Sequence, residues 1–321
     1  MKMLGELAII ALAIFNQLNL IDANQNRDVF LGQFLDFGSL QTRIVKGVNW
    51  NSYDESLQGE NKLEVLPQKA KSEVLDVNAV SALAMDVGTN FALYEKNPSK
   101  KMPIASLTKI MTALVVLGKN SLDEIVVISP RAMETFGDKK GLVAGEKIKL
   151  ANLLRVMIID SNNAAAVALA EHTGGDTEKF VEMMNEKAVA LGLQNTKFVN
   201  PTGLDTVGED NYSTAYDLAQ LTDYALGEDL IWEIARTKEA TLLSIDEKQK
   251  HSVQNTNELL GEMNNIYGGK TGYTVDAGEC LVLISETPDK KHKVISVILN
   301  AENRFVETKK MIDWVFNVWT W

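Results

Sequence analysis

Apolar positions are dense and regularly spaced from about residue 80 onward and sparse before it. Residues 80–87 and 91–94 are apolar runs around Gly88-Thr89-Asn90, the signature of a β-hairpin. Residues 106–117 set Ile110, Met111, Leu114 and Val115 at helical spacing, and residues 124–128 read as a short strand. Two helical runs follow, 150–159 and 163–172, interrupted by the polar turn Asp160-Ser161-Asn162-Asn163. Residues 177–191 predict another helix, ended by Gly192, and Asn200-Pro201-Thr202-Gly203 predicts a turn. Ser213-Thr214-Ala215-Tyr216-Asp217 caps a helix reaching Leu226. The tail alternates strand and turn: strands over 240–245, through 270–272, and over 280–285 and 293–299. A last helix from about Phe305 carries Met311, Trp314, Val315 and Val318 on one face, a single stripe that suits core packing better than a membrane. Strand pairs at both ends of a helical middle, without a βαβ rhythm, predict an α+β fold with an antiparallel sheet flanked by helices. No internal repeat is visible.

Upstream the pattern weakens. Residues 24–78 are polar stretches with scattered aromatics, including the turn-rich segments 49–56 and 58–62, and read as a linker before a domain spanning 79–321. Phe30, Phe34 and Phe37 offer a second reading of part of it, a short docking helix. Residues 1–23 hold Lys2 and an apolar run of nine, 7–15, which suits a signal-peptide core better than a membrane span. Asn16, Gln17 and Asn19 make a longer span costly. Glu6 and the lack of a small-x-small site at a comfortable distance after the run leave two alternatives, an uncleaved signal anchor and an ordinary buried or amphipathic helix.

Composition narrows the function classes. Of 321 residues, 45% are hydrophobic and 23% charged, which describes a globular protein. The net charge of −11 argues against a nucleic-acid partner, whose phosphates call for clustered Lys and Arg. One cysteine, Cys280, excludes an intramolecular disulfide framework. His172, His251 and His292 are widely separated, so neither a zinc site nor a Ser-His-Asp triad is expected. No cofactor is implied.

Three short motifs carry the candidate chemistry: Ser106-Leu107-Thr108-Lys109, Ser161-Asn162-Asn163 and Lys270-Thr271-Gly272. A serine and a lysine three apart at a helix start share a face, and the helix N-terminus favours negative charge on the serine oxygen. Lysine can serve as the base if burial and a second cation depress its pKa, and Lys270 is the obvious second cation. Ser161 and Asn163 place polar side chains in an apolar stretch, where Ser161 could relay a proton and Asn163 hold an amide. Plain helix capping by Asp160, Ser161 or Asn163 is the competing account. Lys270 and Thr271 can bind a carboxylate, and glycine at 272 leaves room for a close backbone. No one motif means much alone; the set and its order carry the signal.

In this motif set the chain resembles the low-molecular-mass D-alanyl-D-alanine carboxypeptidases, serine DD-peptidases among the penicillin-binding proteins. The likeness runs from about Val80 to the C-terminus, through residues 103–113, Gly145-Glu146, 164–175, 195–205, 213–219, 255–260 and 270–281. It implies a β-lactamase/transpeptidase-like fold with a helical subdomain. It also implies Ser106 as acylated nucleophile, Lys109 as base, Ser161 and Asn163 as the second motif, and Lys270, Thr271 and Gly272 as the third. The oxyanion hole would be the backbone N–H groups of Ser106 and Tyr273. Peptidoglycan stem peptides would be the substrates, β-lactams covalent inhibitors, and the location extracytoplasmic. Two departures stand out: Asn162 replaces a common glycine, and Gly269 stands where a bulkier apolar residue is frequent, both expected to tune substrate fit. The chain also stops after the catalytic domain's last helix, so any membrane contact is expected through the N-terminal segment. A DD-endopeptidase is the nearest rival reading. A β-lactamase is disfavoured because no Glu-x-x-Leu-Asn precedes Ser213, and a silent wall-binding protein because the motifs are intact.

Overall fold

Five antiparallel strands form the central sheet of the computed structural model, which describes residues 66–321. They are β1 (Ala79–Asp86), β2 (Ala92–Lys96), β3 (Ile266–Thr274), β4 (Gly278–Glu286) and β5 (Lys293–Ala301), in the order β3-β4-β5-β1-β2. The hairpin between β1 and β2 closes through Asp86, whose carboxylate accepts from the Thr89 N–H and hydroxyl. β1 is buried on both faces, which explains its near-continuous apolar run. It pairs with β5, Leu83 opposite Val297, so the two ends of the domain meet in mid-sheet.

Alternation along the strands sends residues to two cores. Ala82, Ala84, Val294 and Ile298 face α8 (Arg304–Val318), packing on Met311 and Val315. Leu83, Met85, Ile295 and Val297 face the helical layer and join its core. That layer comprises α1 (Lys109–Leu117), α2 (Pro130–Glu134), α3 (Leu150–Ile159), α4 (Asn163–Gly174), α5 (Thr177–Ala190), α6 (Ala215–Ala225) and α7 (Asp229–Ala235). α1 runs through the interior, with every residue from Lys109 to Val116 buried. α4 is alanine-rich where it packs, which lets neighbouring helices approach closely.

The expected helix over 106–117 begins as a 3₁₀ turn, Ala105–Thr108, before α1 takes over. Two helices escape the hydrophobic pattern, α2 and α7, of five and seven residues. Both are too short to display a period. Ser129 caps α2, accepting from the Ala132 N–H, with Pro130 in the first turn. Small two-stranded ribbons pair 102–103 with 212–213, 125–127 with 147–149, and Glu239–Leu243 with Lys250–Gln254. Another pairs Gln68–Lys69 with Trp319–Thr320, so the last part of the expected linker packs against the end of the chain. The rest of that linker and the N-terminal segment lie outside the described residues. Among the described residues no helix is long and apolar enough to cross a membrane.

Candidate active site

The nucleophile turn is held from three sides. The ribbon of Met102–Pro103 against Tyr212–Ser213 leads into it, and the Ile104 N–H donates to the Asn211 carbonyl at 3.2 Å. Ala105 then adopts a left-handed φ of 46°, costly for a residue with a Cβ. The third support is the turn Asn200-Pro201-Thr202-Gly203. The Asn200 side-chain oxygen gathers the N–H groups of Thr202 and Gly203, and Gly203 passes so close that a Cβ there would lie 1.8 Å from the Ala105 carbonyl oxygen. The Asn211 amide ties the assembly together, accepting from Val199 N–H and donating to Thr108 Oγ1 and the Asn200 carbonyl.

Lys109, fully buried, sits inside this cage. Its Nζ reaches Ser106 Oγ at 2.8 Å, Asn163 Oδ1 at 2.7 Å and the Thr202 carbonyl at 2.7 Å. The last two are pure acceptors, because Asn163 Nδ2 is engaged as a donor to the Phe136 carbonyl at 3.0 Å. A neutral amine has two N–H bonds for those acceptors and a lone pair left for the Ser106 hydroxyl. Burial first and the Lys270 cation second hold Lys109 well below the ordinary lysine pKa.

The second motif lies where α3 ends and α4 begins. Asn162, not Asp160, Ser161 or Asn163, is the cap of α4, accepting from the Ala165 N–H at 2.9 Å. Its amide also donates to the Asp138 carbonyl at 2.8 Å. Asn162 is therefore buried and committed to the fold, which leaves it little part in substrate fit. Ser161 takes a left-handed φ of 57° in the break between the helices, and its Oγ accepts from Lys270 Nζ at 2.8 Å.

Lys270 projects from β3, an edge strand of the sheet. Its amine also bonds the Thr271 carbonyl at 2.9 Å, and Thr271 Oγ1 meets Thr256 Oγ1. Burial, with the Arg304 guanidinium second and Asp160 opposing, brings the Lys270 pKa down to about 7. The room left by Gly272 is taken by the nucleophile turn: a Cβ would sit 3.0 Å from the Ile104 carbonyl and 3.2 Å from the Ser106 nitrogen. Gly269 faces the other way, where a Cβ would lie 2.7 Å from Leu283 Cδ1, so its size answers to sheet packing. Tyr273 follows Gly272 on the strand, paired with Glu279, and is 62% exposed.

Ser106, Lys109 and Asn163 thus form one bonded cluster and Ser161 with Lys270 a second, joined electrostatically through the two lysines. Sequence reasoning missed three contributors. The Thr202 carbonyl has no side-chain signature beyond a Pro-Thr-Gly turn. Arg304, which donates to the Gly272 carbonyl at 2.9 Å, is a lone cation at a helix start. Asp160, whose carboxyl pKa is raised by burial against the pull of Lys140, supplies negative charge that favours the ammonium form of Lys270. The arrangement suits nucleophilic attack by a serine whose proton passes to a neutral lysine, beside cations able to hold an anionic substrate group.

A family model described as D-alanyl-D-alanine carboxypeptidase matches residues 67–303. The D-alanyl-D-alanine carboxypeptidase DacF of Bacillus subtilis is 36% identical over 247 residues, covering 74% of this chain and 62% of the relative. A D-alanyl-D-alanine endopeptidase of Pseudomonas aeruginosa is also 36% identical, over 73% of this chain and 76% of its own length. The chain thus spans somewhat under two thirds of the first relative and three quarters of the second. Among solved structures, the D-alanyl-D-alanine carboxypeptidase of Mycobacterium tuberculosis superposes with a TM-score of 0.72 at 26% identity, covering 78% of this chain and 96% of that one. The Streptomyces K15 DD-transpeptidase gives 0.71 at 28% identity, covering 77% and 100%.

Proposed function

Because the chain belongs to the D-alanyl-D-alanine carboxypeptidase family of serine peptidases, we propose that it removes the terminal D-alanine of peptidoglycan stem pentapeptides through an acyl-enzyme on Ser106. The observation that carries this reading is the buried Lys109 amine, with two pure acceptors on its N–H bonds and Ser106 Oγ at 2.8 Å. In this reading Lys109 takes the Ser106 proton as Oγ attacks the peptide carbonyl. The N–H groups of Ser106 and Tyr273 receive the developing oxyanion. Ser161, bonded to Lys270, relays a proton to the departing D-alanine nitrogen. Lys270 and Thr271, on the strand whose Gly272 lies against the nucleophile turn, hold the terminal carboxylate, and Asn163 the substrate amide. Water then releases the shortened peptide by the same groups in reverse.

Such a substrate places the enzyme outside the cytoplasm, with residues 1–23 as signal peptide or anchor, 24–78 chiefly a spacer and 79–321 the catalytic domain. A β-lactam would acylate Ser106 in place of the peptide. Its leaving group stays tethered and occupies the space from which water must attack, so the adduct should persist. The second reading, endopeptidase cleavage of cross-links, is supported by one observation: two relatives named D-alanyl-D-alanine endopeptidases are 36% and 33% identical to this chain.

The test is product analysis on a monomeric pentapeptide and a cross-linked dimer, alongside mass spectrometry after mixing with penicillin. Release of D-alanine from the monomer, a lasting adduct on Ser106, and loss of both in Ser106→Ala are the expected results. Cleavage of the dimer alone would select the endopeptidase. Rapid multiple turnover of penicillin, or labelling at another serine, would refute the assignment.

A further inference from the structure

His251 and Glu146 form a buried pair that the reaction does not touch. His251 lies on the Lys250–Gln254 strand of a ribbon, with Nε2 2.5 Å from Glu146 Oε1 and Nδ1 3.0 Å from the Lys140 carbonyl. Neither side chain is exposed beyond 2%. A carbonyl only accepts, so Nδ1 carries a proton. A second proton must lie between Nε2 and Glu146, whose other oxygen accepts from the Val143 N–H at 3.2 Å. As a stabilising device this is poor: an apolar pair of similar volume commonly serves as well.

What the pair does hold is a strained loop. Between residues 136 and 146 the backbone turns left-handed at Gly137, Lys140, Gly141 and Gly145, with φ of 116°, 50°, 79° and 83°. Lys140 has a Cβ and pays for that geometry unless its surroundings fix it. His251 fixes its carbonyl, while its amine is pinned by Asp138 at 3.1 Å and Asp160 at 3.3 Å. The same loop presents the Phe136 carbonyl to Asn163 and the Asp138 carbonyl to Asn162. Gly137 passes so close to Asn163 that a Cβ would sit 3.3 Å from Nδ2. Asn163, oriented by that donation, turns its oxygen to Lys109.

We propose that His251 and Glu146 are positioning residues for acylation of Ser106, acting through the 136–146 loop on Asn163 and thence on Lys109. The inference rests on the reading of Ser106 and Lys109 given above. It assigns a role to the Gly145-Glu146 segment and to a histidine far from both in sequence. The pair works as a unit: the ring must donate to Lys140 and share a proton with residue 146 at once.

The experiment is the acylation of the full chain by fluorescent penicillin, resolved into a binding constant and a first-order acylation rate. His251→Leu should slow the first-order rate at least tenfold, about 1.4 kcal/mol of barrier, with binding little changed. Glu146→Gln should stay within twofold of the parent, since a carboxamide can donate to Nε2 while Nδ1–H stays on the Lys140 carbonyl. Val315→Ala, a cavity under α8 far from the loop, supplies a control matched for lost thermal stability and should acylate normally. If His251→Leu does not fold, His251→Gln, which can make only one of the two bonds, should show the same loss of rate in smaller degree. A His251 variant acylating at the parent rate, or a control slowed equally, overturns the proposal. A parent chain that takes no penicillin sinks the underlying reading with it.

Discussion

A lysine amine acts as a base only where its proton is poorly held, and the surroundings of Lys109 arrange this twice. Burial removes the water that would solvate an ammonium, and Lys270 adds a second positive charge to the same interior. Arg304 presses on Lys270 in turn, and Asp160 opposes it there. The sign of the pH dependence follows. Lys109 works only when neutral, so acylation should fall as pH drops through its depressed pKa. Removing a neighbouring cation must raise that pKa. In Lys270→Gln the acid limb of the penicillin acylation profile should therefore move to higher pH, whatever happens to the maximum rate. A limb that stays in place or moves to lower pH would show that Lys270 does not act on Lys109. The shift has no counterpart if Lys109 merely fills space.

Among elements, the closest approach in the site is backbone against backbone. Gly203 and Gly145 share a φ of +83°, but nothing lies within 4 Å of a Cβ at Gly145 whereas the Ala105 carbonyl lies 1.8 Å from one at Gly203. Gly145→Ala should cost the backbone strain alone, about 1 kcal/mol. Gly203→Ala adds a clash with the nucleophile turn and should cost more than about 3 kcal/mol, or prevent folding. Thermal melts of the two variants separate conformation from contact; equal losses would show that the turn simply shifts aside. This pairing also marks what the sequence could and could not disclose. The central strands and long helices were legible because their apolar spacing is periodic, and Ser106, Lys109, Ser161, Asn163 and Lys270 because their residue types suit one chemistry in one order. The Thr202 carbonyl was hidden because every residue has a carbonyl. The bond from His251 to Glu146 spans 105 positions, and no local pattern encodes it. Asn162 and Gly269 looked like adjustments to a substrate, yet one caps a helix and the other fits a sheet.

At the scale of the whole molecule, the described chain begins and ends in one place. Gln68–Lys69 pairs with Trp319–Thr320, Trp319 packs edge-on against Phe91 at 5.5 Å, and Trp321 stacks on His292 while its indole donates to Asp86. Deleting residues 319–321 should cost about 2–3 kcal/mol and lower the melting temperature by roughly 4–12 °C. None of these contacts involves Ser106, Lys109 or Lys270, so penicillin acylation measured well below the melt should persist; its loss would tie the terminus to the site. The pairing of β1 with β5 has a consequence in time. Leu83 and Val297 are neighbours across the sheet, yet a ribosome moving at about 5–20 residues per second separates them by ten seconds or more. Until β5 emerges, the β1–β2 hairpin has no partner for an edge that is interior in the finished protein. Non-local pairing of this kind is slow to form and exposes sticky strand edges meanwhile. Refolding from denaturant should accordingly be slow and lose yield as protein concentration rises, through association of chains whose first hairpin waits for their last strand.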